Sequence, residues 1–73
     1  MATASVSCDL EQIGETAGVL WRLLEERGPL SMAKVVKESD HPRDLVLLAL
    51  GWLAREDKIT IDSESRGRVV SLR

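Results

Sequence analysis

Aromatic side chains are nearly missing from this chain: 73 residues carry two tryptophans, no phenylalanine and no tyrosine. Core volume must therefore come from Leu, Val and Ile, with Trp21 and Trp52 as the largest expected core pieces. Cysteine is just as scarce. Cys8 stands alone and cannot close an internal disulfide. With one histidine, His41, beside it, a four-ligand zinc staple is excluded. No apolar run approaches the ~20 residues that span a bilayer, so no membrane role is expected. The N-terminal residues do not read as a signal peptide, and together with the lone cysteine this points to a cytoplasmic location. There is no phosphate loop, no acid–His–nucleophile set and no metal cluster, and a domain this small encloses no ordinary substrate pocket by itself. The sequence thus points away from enzymes, small-molecule substrates and cofactors.

A surplus of positive charge is missing too. The formal net charge is −2. Asp9 to Arg27 holds five acids and two bases, whereas Gly28 to Arg73 holds eight bases and seven acids. Phosphate neutralisation supplies most non-specific affinity for DNA, so this balance gives a nucleic-acid role little support, although local fields matter more than the sum.

What is present is a folded domain's share of apolar residues, 44%, arranged in readable periods. Residues 1–8 read as a small, polar tail and residues 9–73 as one domain. Asp9 has N-cap chemistry, with Gln12 at capping-box spacing. A first helix is expected from about Leu10 to Arg27, with Ile13, Ala17, Leu20 and Leu24 on one stripe. Gly28-Pro29 ends it. Leu30 suits a very short extended segment. Ser31 then caps a second helix, Met32 to about Glu38, with Val35 and Val36 inward. Ser39-Asp40-His41-Pro42 is a turn in which Asp40 is placed to cap a third helix, about Pro42 to Glu56. Ile59-Thr60-Ile61 and Val69-Val70-Ser71-Leu72 read as two strands joined by a polar turn, residues 62–68, containing Gly67.

Three helices followed by a β-hairpin, with a short first strand near Leu30, is the order of an α+β winged helix-turn-helix. Two stretches strengthen that reading. Ile13-Gly14-Glu15-Thr16-Ala17-Gly18-Val19-Leu20-Trp21 and Leu48-Ala49-Leu50-Gly51-Trp52-Leu53-Ala54-Arg55-Glu56 resemble a family of small bacterial and archaeal winged helix-turn-helix proteins of unknown function. The resemblance runs from about Asp9 to Leu72. It implies the winged-helix fold and, by analogy, self-association; it carries over no activity.

The third helix holds the feature that most limits function. Its centre, Leu45 to Leu53, is nine almost unbroken apolar residues, where a DNA reader normally carries polar side chains for the major groove. At ~100° per residue, Leu45, Leu48, Ala49, Trp52 and Leu53 form one apolar face. Arg43, Leu47, Leu50 and Ala54 lie roughly opposite. Either the second face is covered within the fold, or it docks a protein. The leading expectation is a non-enzymatic module that forms a homodimer, or binds another protein, through Leu47, Leu50, Gly51 and Ala54. The alternative is a DNA-binding regulator using Arg43 on the third helix, with Arg66, Gly67 and Arg68 on the wing. The bland reading of those wing residues is a solvated turn, with Gly67 there for a positive φ.

Three glycines inside helices ask for a reason, since each costs about 1 kcal/mol against alanine. Gly14 and Gly18 are expected to admit another backbone, from the hairpin or from a second subunit, and Gly51 poses the same question. His41 reads as a surface or cap residue, and Cys8 as a chance position beside the N-cap.

Overall fold

The computed structural model describes residues 9–64 and 67–73. Cys8 and Arg66, both singled out above, lie outside the described residues. The elements are α1 (Leu10–Arg27), β1 (Leu30–Ser31), α2 (Met32–Ser39), α3 (Arg43–Arg55), β2 (Ile59–Glu64) and β3 (Gly67–Leu72). The three strands form one antiparallel sheet in the order β1-β3-β2.

Local chemistry sets the helix ends. The Asp9 carboxylate accepts from the Gln12 backbone N–H at 2.9 Å, satisfying one of the orphan donors of the first turn. At the other end Gly28 has φ 79° and ψ −163°, a conformation open essentially to glycine, and its N–H donates to the Leu24 carbonyl. Ser31 Oγ accepts from the Lys34 N–H and opens α2.

The α2–α3 turn departs from expectation. Asp40 does not cap α3: its backbone is left-handed, with φ 61°, and it closes α2 instead. Position N-cap falls to Pro42, which offers no side-chain acceptor. Ser39 organises this turn. Its buried hydroxyl donates to the Val36 carbonyl and accepts from the His41 N–H. His41 Nδ1 lies 2.6 Å from the Ser39 carbonyl; a carbonyl only accepts, so Nδ1 carries the proton.

Helix α3 ends in two nested hydrogen bonds, Lys58 N–H to the Leu53 carbonyl and, inside it, Asp57 N–H to the Ala54 carbonyl. Asp57, at φ 64°, is the left-handed residue between them. Arg73 then latches onto this corner. Its N–H donates to the Lys58 carbonyl, and its guanidinium stands 2.9 Å from the Asp57 carboxylate.

The strands run further into the wing than the sequence suggests. Register pairs continue from Ile59↔Leu72 out to Glu64↔Gly67, so Asp62–Glu64 and Gly67–Arg68 are strand rather than turn. These residues are exposed, so no buried face imposes the apolar alternation by which a strand is read.

The core is formed by Ala17, Leu20 and Leu24 of α1, Val35 of α2, Val46, Ala49, Leu50 and Leu53 of α3, Ile59 of β2 and Val70 of β3. Fully burying each Leu or Val side chain is worth about 1.5–3 kcal/mol. Trp21 and Trp52 are not central. Both are half-buried and pack against the rim of this cluster, because Leu and Val already fill the space between α1, α3 and the sheet.

Candidate interaction surfaces

The buried arc of α3 is Leu45, Val46, Ala49, Leu50 and Leu53, which straddles the two faces expected from the sequence. Leu50, expected on the outward face, is 1% exposed and belongs to the core. Leu48, expected on the inward face, is 47% exposed, and Leu47 is 38% exposed. Gly51 and Ala54 are exposed as expected. The outward strip of α3 is therefore Leu47, Leu48, Gly51 and Ala54, with Asp44 and Arg55 as charged neighbours on the helix.

The basic candidates gather elsewhere. Arg43, Gly67 and Arg68 line one hollow of about 310 Å³ together with Ser31, Met32 and Ala33. This hollow joins the start of α3, the start of α2 and the base of the wing hairpin. Gly67 has φ 139°, the positive value for which glycine was expected there. Neither Arg43 nor Arg68 has an ion-pair partner among the described residues, where Arg27–Glu38, Lys58–Glu56 and Arg73–Asp57 are the pairs made.

Two features escaped the sequence reading. Trp21 and Trp52 flank an open groove of about 430 Å³ whose α1 wall includes Gly14, Ala17 and Gly18. On the outer side of α1, Glu15, Gly18, Val19 and Arg22 surround a second hollow of about 220 Å³. Val19 is 43% exposed. Its signal was present in the sequence: Glu15, four residues before it, and Arg22, three after, put Val19 beside the charged side of α1. Among the described residues nothing comes within 4 Å of where a Cβ would stand on Gly14, Gly18 or Gly51. The hairpin is thus not the backbone these glycines admit. No helix among the described residues is long and apolar enough to cross a membrane.

Helix α3 set between a short helix and a two-stranded hairpin, over a sheet that the strand after α1 completes, defines a winged helix-turn-helix domain. The chain belongs to the winged helix-turn-helix domain family DUF2582, whose model matches residues 8–72. An uncharacterized protein of Methanocaldococcus jannaschii is 38% identical over 64 residues, covering 85% of this chain and 91% of that protein. Among solved structures, a Bacteroides thetaiotaomicron protein determined in solution superposes with a TM-score of 0.77 at 27% identity, over 85% of this chain and 76% of that one. The Zα domain of Carassius auratus PKZ, solved in complex with Z-DNA, superposes with a TM-score of 0.74 at 18% identity, over 84% of this chain and 97% of that domain. At that identity the likeness is one of fold.

Proposed function

We propose that this domain is a non-enzymatic protein-interaction module and that the outward strip of α3 is its docking surface. One observation carries the reading: Leu47 and Leu48 are both exposed at the middle of the helix that reads the major groove in DNA-binding relatives of the fold. Groove-reading side chains offer hydrogen bonds to base edges, and Leu47, Leu48, Gly51 and Ala54 offer none. An apolar strip of this kind gains free energy by leaving water against another apolar surface. With Leu50 in the core, the contact narrows to these four residues.

DNA binding is the second reading, favoured by the convergence of Arg43 and Arg68 on one hollow and by a fold neighbour that was solved with Z-DNA. A titration with mixed-sequence duplex DNA separates the two. Binding through phosphates weakens steeply between about 50 and 200 mM salt and falls when Arg43 and Arg68 become alanine. Protein docking predicts no such binding. It predicts instead that a fluorescent apolar probe binds wild type and is lost in a Leu47→Ser/Leu48→Ser variant that melts like wild type. Salt-sensitive DNA binding with an unchanged probe signal would replace the first reading with the second.

A further inference from the structure

A polar hollow beside α1 plays no part in either reading above, and we infer that it receives a cationic side chain, lysine or arginine, from another protein. Gln12, Glu15, Thr16 and Val19 of α1, His41 of the α2–α3 turn and Leu45 of α3 form it, around a space of about 210 Å³. These residues belong neither to the α3 strip nor to the wing hollow, and their chemistry is independent of both.

Thr16 is the telling residue. It is 3% exposed, yet its hydroxyl makes no hydrogen bond among the described residues. A buried hydroxyl is ordinarily satisfied, as that of Ser39 is by the Val36 carbonyl. Valine would fill the same space without a polar atom to satisfy. The Thr16 hydroxyl gains its partner once a ligand enters the hollow that it lines.

The other groups set the kind of ligand. His41 gives its Nδ1 proton to the Ser39 carbonyl, which leaves Nε2 as an acceptor. Glu15 adds a carboxylate, exposed and in no ion pair among the described residues. The Gln12 N–H is taken by Asp9, but its side-chain amide both donates and accepts. Acceptors therefore outnumber donors, and the one charged group lining the hollow is negative. Glu11, Asp40 and Asp44 adjoin these residues in the chain and are likewise outside the ion pairs made. Arg43, the nearest base in the chain to His41, lines the wing hollow instead. Such a field draws a cation. Val19, 43% exposed, and Leu45 supply apolar walls. A bare metal ion has no use for these, whereas the methylene stem of lysine or arginine packs on them while its charged head takes the hydrogen bonds.

Amide and imidazole shifts of the isotopically labelled full chain test this during titration with Nα-acetyl-lysine amide and Nα-acetyl-arginine amide. One or both should shift Gln12, Glu15, Thr16 and His41 together, saturating with a dissociation constant of about 1–10 mM. The norleucine analogue, which keeps the stem and lacks the ammonium, should not. Thr16→Val should weaken binding about tenfold, the loss of one hydrogen bond to a charged group, while melting no lower than wild type. Glu15→Gln should weaken it about threefold, as for an exposed pair. Equal binding of the norleucine analogue overturns the proposal, as does a response still linear at about tenfold higher concentration. Unchanged affinity in Thr16→Val would reduce the effect to unspecific attraction by surface acids, and a clear loss of stability there would show the hydroxyl to be used within the fold; either result sinks the site. Tighter binding of putrescine than of both analogues would overturn the protein source in favour of a free polyamine.

Discussion

On α3, Leu50 is 1% exposed while Leu47, one turn before it, is 38% exposed. Residues three apart are neighbours on a helix surface, so the boundary between core and solvent passes between these two side chains. Leu50→Ala should cost about 2–5 kcal/mol, a large share of the stability of a domain this small. Leu47→Ser should stay within about 0.5 kcal/mol of wild type. Denaturant melts of the two variants check this. Equal losses at both positions would contradict the placement of α3.

The helix glycines give a prediction of opposite sign. Nothing described approaches a Cβ at Gly14 or Gly51, and both have helical backbones. Gly14→Ala and Gly51→Ala should each stabilise the monomer by about 0.5–1 kcal/mol. In a domain of this length that raises Tm by about 2–8 °C. A lower Tm in dilute solution would mean that something in the chain does approach these glycines.

Trp52→Ala should be milder than a buried aromatic truncation. The side chain lies at the rim, half-buried beside an open groove. We expect a loss of about 1–3 kcal/mol, below the 3–5 of fully buried cases. Chemical denaturation measures it, and a loss at the top of the buried range would return Trp52 to the core.

Asp57 holds a left-handed backbone at the end of α3, a conformation that costs most residues about 1 kcal/mol or more. Its ion pair with Arg73 is solvent-exposed on both sides and adds little. Asp57→Gly should therefore raise stability by about 0.5–1 kcal/mol, and Asp57→Val should lower it by more than that. If the glycine variant melts below wild type, the Arg73 latch matters more than the backbone.

These positions also show what the sequence discloses. Asp9, Gly28 and Ser31 announce helix ends through local chemistry, and the structure uses all three as expected. Leu20 and Leu24 are legible because α1 has a single apolar stripe. Helix α3 has apolar residues almost all round, so the wheel alone does not say which arc is buried. The answer depends on where α1, α2 and the sheet meet α3, and those contacts select Val46, Ala49 and Leu53 with Leu50 on one flank. Asp40 misled because its side chain suits a cap while its backbone serves the preceding helix. Arg43 and Arg68 are far apart in sequence, and only the return of the chain through β3 brings them to one hollow.

The strand order has one more consequence. With β3 in the middle, β2 is an outer strand, and its distal half carries unpaired backbone groups along one side. Such an edge invites another strand to add to it. The residues there are Asp62, Ser63 and Glu64, all exposed. Two carboxylates along one short edge repel a copy of themselves. Charge of one sign along that edge disfavours strand addition by a second wing.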